Sequence, residues 1–160
     1  MDNLFCNAVG LKINVESVVR EIIDFMAMQP NRHYTIVVGT DSQLLPSKHA
    51  DFVSAIVVHR VGNGGKYFWR GFELGMFHTL RDRIIKEVLL SLEVAHDLLT
   101  RLKEAGAAYQ WDFEIHADVG EHGPTKALIQ EVTGMVRAHR FEVKTKPGSY
   151  AATNVADRHV

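Results

Sequence analysis

The sequence predicts one mixed α/β domain, in which a short antiparallel meander is followed by helical crossovers to parallel strands. A β-branched run at 34–38, apolar on both faces, leads directly into the sequence Gly-Thr-Asp at 39–41. A glycine-rich turn at 62–65 separates two further strand-like runs. An amphipathic stripe at 79–104 then predicts a helix long enough to cross a sheet, and the strand after it ends at Asp118. The 160 residues fit a single domain, 1–160.

The order of the elements follows from periodicity and turn signals. Asn14 can cap a first helix that ends before Pro30, which adds a helix ahead of the first strand. The meander is predicted at 34–41, 52–60 and 66–72. After the crossover helix, the pattern predicts a strand at 111–118, a helix at 125–139, a strand at 141–145 and a terminal helix at about 151–160. The expected sheet is therefore five-stranded and mixed, with helices on both faces.

Composition and charge exclude several classes of protein. The formal net charge of −1 gives little overall attraction to nucleic acid, so such binding would need a local basic patch or bound cations. No apolar run is long enough for a membrane span. Residues 1–10 lack the pattern of a secretory signal, and the single Cys6 cannot form an internal disulfide, so a cytoplasmic location is expected. The nine histidines include no pair at zinc-motif spacing.

Two aspartates are predicted to meet at one edge of this sheet. Right-handed crossovers would place the 111–118 strand parallel to the 34–41 strand, on the side away from the meander. Asp41 and Asp118 would then end neighbouring strands at a topological switch point, where open α/β sheets carry their sites. Two such carboxylates repel unless a cation lies between them, and oxygen ligands of this kind suit Mg²⁺ or Mn²⁺.

Each acid also has an alternative interpretation. A lone aspartate at a strand end is more often a turn residue that binds its own backbone. Glu87, at the edge of the helical stripe, is evenly balanced between a site residue at the rim of the sheet and a surface residue. Glu93 and Glu104 point away and are expected to be solvated.

Four motifs resemble those of the YkuK family of ribonuclease H-like proteins over nearly the whole chain: GTDSQ at 39–43, RIIKE at 83–87, HADVG at 116–120 and KPGSYAA at 146–152. This resemblance implies a ribonuclease H-like fold and a catalytic set of four metal-binding acids, Asp41, Glu87, Asp118 and Asp157. For Asp157, the alternative is a solvated residue of a terminal helix. In this superfamily, such acids hold two divalent ions, Mg²⁺ or Mn²⁺, that promote phosphodiester hydrolysis.

Residues around the acids are candidates for contacting nucleic acid: Ser42, Gln43, Lys144, Lys146 and Tyr150. For Ser42, a turn-capping role is favoured over a role in the site, and an ordinary surface loop is an equal alternative for the two lysines and Tyr150. His116 shares a strand face with Asp118 and could support it from behind, although a packed strand histidine is favoured.

The function expected from the sequence is a divalent-metal-dependent nuclease. The alternative is a non-catalytic module that binds nucleic acid or protein on the same fold. The sequence does not discriminate between RNA, DNA and hybrid substrates, between endonuclease and exonuclease action, or between oligomeric states.

Overall fold

The structure is a computed structural model that describes residues 3–149. Its strands are β1 (Phe5–Asn7), β2 (Lys12–Ile13), β3 (His33–Leu44), β4 (Ala50–Arg60), β5 (Gly65–Leu74), β6 (Gln110–His116) and β7 (Glu142–Lys144). Its helices are α1 (Val15–Met28), α2 (Leu80–Glu104) and α3 (Ile129–Ala138). The predicted helix before the central strand is confirmed, as are the meander and the crossover helix.

The strands form one mixed sheet with the order β2-β1-β5-β4-β3-β6-β7. The central strand β3 pairs antiparallel with β4 from Tyr34 to Leu44 and parallel with β6 from His33 to Gly39. This is the predicted arrangement around the central strand.

The sheet has seven strands rather than the five predicted. The additional strands are the short β1 and β2, which extend the sheet from the edge of β5 through the pair Cys6↔Trp69. The three residues of β1 and the two of β2 show no alternating pattern, so periodicity does not detect them.

Helices α1 and α2 each follow a capping residue, and the cap predicted at Asn14 is confirmed. Asn14 Oδ1 accepts a hydrogen bond of 2.9 Å from the Ser17 amide, and Thr79 Oγ1 accepts one of 3.0 Å from the Asp82 amide. Each contact satisfies an amide of the first turn that has no partner within the helix. The predicted helix at 125–139 differs, because its first turn is a 3₁₀ helix (Lys126–Leu128) and α3 begins only at Ile129.

The main core lies on one face of the sheet. Buried residues of α1, α2 and α3 form one cluster with Tyr34, Ile36 and Val38 of β3, which alternate along the strand and so share a face. Val37 lies on the opposite face with Ala55, against the partly buried side chains of Tyr67 and Trp69. The terminal helix predicted at 151–160 lies outside the described residues. Between residues 3 and 149, no helix combines the length and apolar character that a bilayer span needs.

Candidate active site

Asp41 and Asp118 lie at equivalent distances beyond the last register pair of two neighbouring parallel strands. The last register pair of β3 and β6 joins Gly39 to His116, and each aspartate follows its member of that pair by two residues. The sequence predicts that each aspartate ends its strand, and both predictions are wrong, because β3 continues past Asp41 and β6 stops before Asp118. β3 is longer than β6 and continues to Leu44 by pairing with β4, which places Asp41 opposite Val53. The two acids still share one edge of the sheet, because each lies two residues beyond the same register pair.

Glu87 projects from α2 toward the same edge and is buried, with only 3% of its surface exposed. Ser42 Oγ donates a hydrogen bond of 2.6 Å to Glu87 Oε1. Burial raises the pKa of Glu87 well above its ordinary value, and the charges of Asp41 and Asp118 raise it further. The Ser42 hydrogen bond and the positive charge of Arg83 act in the opposite direction. The electrostatic coupling of Glu87 to both aspartates means that three carboxylates share one region.

Arg83 is a site residue to which sequence reasoning gave no role. Its guanidinium donates to the Ser42 carbonyl at 2.9 Å and approaches Ser42 Oγ at 3.0 Å. It lies four residues before Glu87 on α2, so both side chains project from the same helix face. The four-residue spacing of Arg83 and Glu87 could have predicted a positive charge beside Glu87 from the sequence.

Lys146 contacts the acidic cluster directly. Its Nζ lies 2.7 Å from the buried Oδ1 of Asp118, as an ion pair rather than a well-aligned hydrogen bond. The lysine side chain is 55% exposed and that of Asp118 is 19% exposed, so the pair lies at the surface of the site. Contact with Asp118 raises the pKa of Lys146, and the charges of Asp41 and Glu87 also raise it. Sequence reasoning proposed this lysine for phosphate, and its present partner is a carboxylate.

A buried row of hydroxyl groups lies beneath the site. Thr40 Oγ1 is 2.8 Å from Ser54 Oγ on β4, and Ser91 Oγ of α2 donates to Thr40 Oγ1 at 2.8 Å. These three side chains are all buried. They join two strands and the helix next to Asp41 and Glu87, which fixes the relative position of the elements that carry the acids.

The remaining predicted residues lie around this centre or outside the described chain. Gln43 is exposed near the end of β3, and Lys144 is exposed on β7, where its carbonyl accepts from the Ala117 amide at 2.9 Å. His116 is buried, with Nε2 2.8 Å from Glu114 Oε1. Tyr150 and Asp157 lie outside the described residues.

Two sequence interpretations of single residues can be compared with their surroundings. Ser42 does not cap a turn, because β3 continues through it and pairs it with Phe52. Its hydroxyl instead reaches the carboxylate of Glu87. Glu93 and Glu104 are exposed on α2, as predicted.

The acids are not arranged as a ready metal cluster. Among residues 3–149, no group of three histidine, cysteine, aspartate or glutamate side chains has a geometry that could hold a metal ion. Asp41 accepts from the Ser42 amide at 2.9 Å, Glu87 from the Ser42 hydroxyl, and Asp118 contacts Lys146. The donor chemistry does fit a hard cation, because three carboxylates share one edge and two of them are engaged by groups that a side-chain rotation can move.

The comparison with protein families agrees with this fold. The family model described as ribonuclease H-like matches residues 17–160. Because the match covers most of the chain, the protein belongs to the ribonuclease H-like family. Membership indicates a nuclease-type or nucleic-acid-related function, and divalent metals are common among members.

One curated relative is similar over nearly its full length. The chain is 32% identical over 165 residues to the uncharacterized protein YkuK of Bacillus subtilis (strain 168), which covers 97% of this chain and 95% of the relative. The resemblance to the YkuK family noted from the motifs is thereby confirmed. No solved structure gives a significant match to the chain.

Proposed function

We propose that this protein hydrolyses phosphodiester bonds in nucleic acid with the help of divalent cations. The observation that carries the proposal is the convergence of three carboxylates from separate elements at one sheet edge. Asp41 comes from β3, Glu87 from α2 and Asp118 from the loop after β6, and Glu87 is electrostatically coupled to both aspartates. A buried glutamate beside two further acids is costly to ionise, and groups perturbed in this way cluster at functional sites.

The ligand set proposed for Mg²⁺ or Mn²⁺ is Asp41, Glu87 and Asp118, with Asp157 as the fourth acid by family resemblance. Cations bound there would supply activation of water and neutralisation of the charge that develops on the phosphate. Carboxylates suit this role because Mg²⁺ and Mn²⁺ prefer oxygen ligands.

The side chains around the acids have supporting roles in this proposal. Ser42 holds the carboxylate of Glu87 through its hydroxyl, and Arg83 holds Ser42, so both orient a ligand rather than react themselves. Ser42, Gln43, Lys144, Lys146 and Tyr150 are proposed to contact the nucleic acid, with the lysines binding phosphate groups. His116 is proposed to support the position of the loop that carries Asp118.

A second candidate function is a non-catalytic module that binds nucleic acid or protein. The ion pair between Lys146 and Asp118 favours it, because the lysine already compensates one of the three acids without any metal. A fold can persist after its catalytic activity has been lost. In that case the acids and Lys146 form a structural charge network.

A cleavage assay discriminates the two functions. Wild type, Asp118→Asn and Glu93→Gln are incubated with single-stranded RNA, single-stranded DNA, duplexes and hybrids, in Mn²⁺ and in chelator. Asp118→Asn keeps the size of the side chain but removes a charged ligand, so cleavage should fall by orders of magnitude. Glu93→Gln is the matched control, because Glu93 is exposed on the same helix as Glu87.

The expected result is cleavage by wild type and Glu93→Gln in Mn²⁺, and none in chelator. Equal cleavage by Asp118→Asn would assign the activity to another site or to a contaminant. A wild type that cleaves no substrate in the panel would support the non-catalytic module.

A further inference from the structure

Lys146 is held beside Asp118 by the backbone as well as by charge. The Ala117 amide donates to the Lys144 carbonyl at 2.9 Å, and the Lys146 amide donates to the Val119 carbonyl at 2.8 Å. The two hydrogen bonds join the segment 144–146 to the segment 117–119 on both sides of Asp118. The position of Lys146 is thus part of the fold and not a chance contact of a long side chain.

Gly120 allows this close approach. A Cβ atom built on Gly120 would lie 2.9 Å from Lys146 Cβ, closer than side-chain carbons pack. The amide of Gly120 is in turn bound by Thr125 Oγ1 at 3.1 Å, which fixes the loop after Asp118. A larger residue at position 120 would therefore force Lys146 or the loop at Gly120 to shift.

The charges explain what the lysine does there. Asp41, Glu87 and Asp118 bring up to three negative charges to one edge, and two of the described cations, Arg83 and Lys146, lie beside them. Arg83 is engaged with Ser42, whereas Lys146 contacts a carboxylate oxygen directly. A divalent cation on Asp118 Oδ1 would lie only a few ångströms from the ammonium group, and the two positive charges would repel each other. Asp118 Oδ1 can therefore contact either the Lys146 ammonium group or a divalent cation, but not both at once.

We infer that Lys146 is a resident counter-ion, which stabilises the acidic site when no metal is bound and which a divalent cation must displace from Asp118. This inference rests on the proposed metal site and concerns its regulation. The half-exposed lysine side chain can leave toward solvent without disturbing the core. The consequence is a site that stays assembled without metal, at the expense of metal affinity.

The test compares wild type with Lys146→Met, Lys146→Arg and Lys144→Met. Lys144→Met is the matched control, because it removes the same charge two residues earlier from an exposed lysine. Mn²⁺ affinity is measured by calorimetric titration, and melting temperature is measured in chelator and in saturating Mn²⁺. Neither readout requires cleavage.

Lys146→Met should bind Mn²⁺ more tightly than wild type, by roughly threefold or more, as expected from loss of a competing, partly exposed ion pair. It should melt below wild type in chelator and approach wild type in saturating Mn²⁺. Lys146→Arg should restore the melting temperature in chelator, and Lys144→Met should leave Mn²⁺ affinity at the wild-type value. A purely structural lysine would instead lower the melting temperature in both conditions.

Mn²⁺ binding by Lys146→Met but not by wild type would also support the inference, as the extreme case of competition. Equal or weaker binding by Lys146→Met would overturn it, and so would the absence of Mn²⁺ binding by both proteins. A wild type that binds Mn²⁺ but cleaves nothing would count against the proposed function alone.

Discussion

The hydroxyl of Ser42 donates a hydrogen bond of 2.6 Å to Oε1 of Glu87, although 45 positions separate the two residues in the chain. Arg83 binds the carbonyl and hydroxyl of the same serine, so one residue of β3 is joined to two residues of α2. The contact fixes the crossover helix against the central strand at the level of Asp41. It also provides a buried carboxylate with its nearest polar partner.

Ser42→Ala should destabilise the protein and weaken metal binding. Removal of the hydroxyl leaves the buried carboxyl group of Glu87 without its hydrogen bond, which costs about 1–3 kcal/mol. The pKa of Glu87 should rise further, because this hydrogen bond lowers it. The free energy of unfolding and the Mn²⁺ affinity near neutral pH measure the two effects.

Ser42→Thr is the matched control, since threonine keeps the hydroxyl and is compatible with a strand. Stability and Mn²⁺ affinity should remain closer to wild type than in Ser42→Ala. Indistinguishable values for wild type and Ser42→Ala would mean that the hydroxyl does not support Glu87.

Glu87→Gln should make the metal-free protein more stable at neutral pH. Burial raises the pKa of Glu87 in the folded protein, while the unfolded chain titrates near 4.5. Between these two values the folded protein retains a proton that the unfolded chain has lost. Stability therefore falls as pH rises from 4.5 through the raised pKa. Glutamine has no proton to lose, so Glu87→Gln avoids this loss of stability.

Denaturant unfolding in chelator across the pH range measures the effect. The two proteins should have similar stability below pH 4.5 and diverge as pH rises, with Glu87→Gln the more stable. Glu93→Gln, at an exposed position of the same helix, should follow wild type. Parallel profiles for wild type and Glu87→Gln would show that the carboxyl ionises without a penalty.

The sequence predicted the elements whose pattern extends over several turns or several strand residues. The stripe along α2 placed Ile84, Val88, Leu92 and Ala95 in the core, where all four are buried. The run at 34–38 predicted a central strand, and β3 occupies the centre of the sheet. The predicted end of that strand at Asp41 was wrong, because β3 continues to Leu44. Its last residues pair with β4, and the local sequence does not reveal that partner.

The acids were predicted individually, but their immediate partners were not. Asp41, Glu87 and Asp118 could be proposed from strand ends and helix spacing, since these follow from local periodicity. The contact between Asp118 and Lys146 depends on the pairing of β6 with β7 and on the close approach at Gly120. Such distances are set by tertiary packing and leave no periodic signal in the sequence.

Tyr34→Phe should lower stability through a buried polar cluster away from the site. The Tyr34 hydroxyl lies 2.8 Å from the Gln29 carbonyl and accepts from Arg60 Nε at 3.1 Å. Arg60 is buried against the ring of Phe25, 4.0 Å from its centroid. Without the hydroxyl, a charged donor and a carbonyl each lose a buried partner, which costs about 1–3 kcal/mol.

Thermal and denaturant unfolding of Tyr34→Phe measure this loss, with Tyr109→Phe as the control. Tyr109 is only partly buried, unlike the fully buried Tyr34, so water can replace a partner that its hydroxyl loses. Tyr109→Phe should therefore lower stability by less than Tyr34→Phe does. Equal effects of the two substitutions would argue against a specific contribution from the Tyr34 cluster.

Mn²⁺ should raise the melting temperature of the wild-type protein, because a cation bound by the native acids relieves their repulsion and has no such site in the unfolded chain. At a hundred times the dissociation constant, binding adds about 2.7 kcal/mol. For a domain of this size, that corresponds to a rise of roughly 5–10 °C.

Asp41→Asn should lose most of this rise in melting temperature, because it removes one charged ligand while preserving the shape of the side chain. Glu93→Gln should retain the full rise. A melting temperature of wild type that does not change in millimolar Mn²⁺, with the chelator-treated protein as reference, would contradict a metal site of useful affinity at Asp41, Glu87 and Asp118.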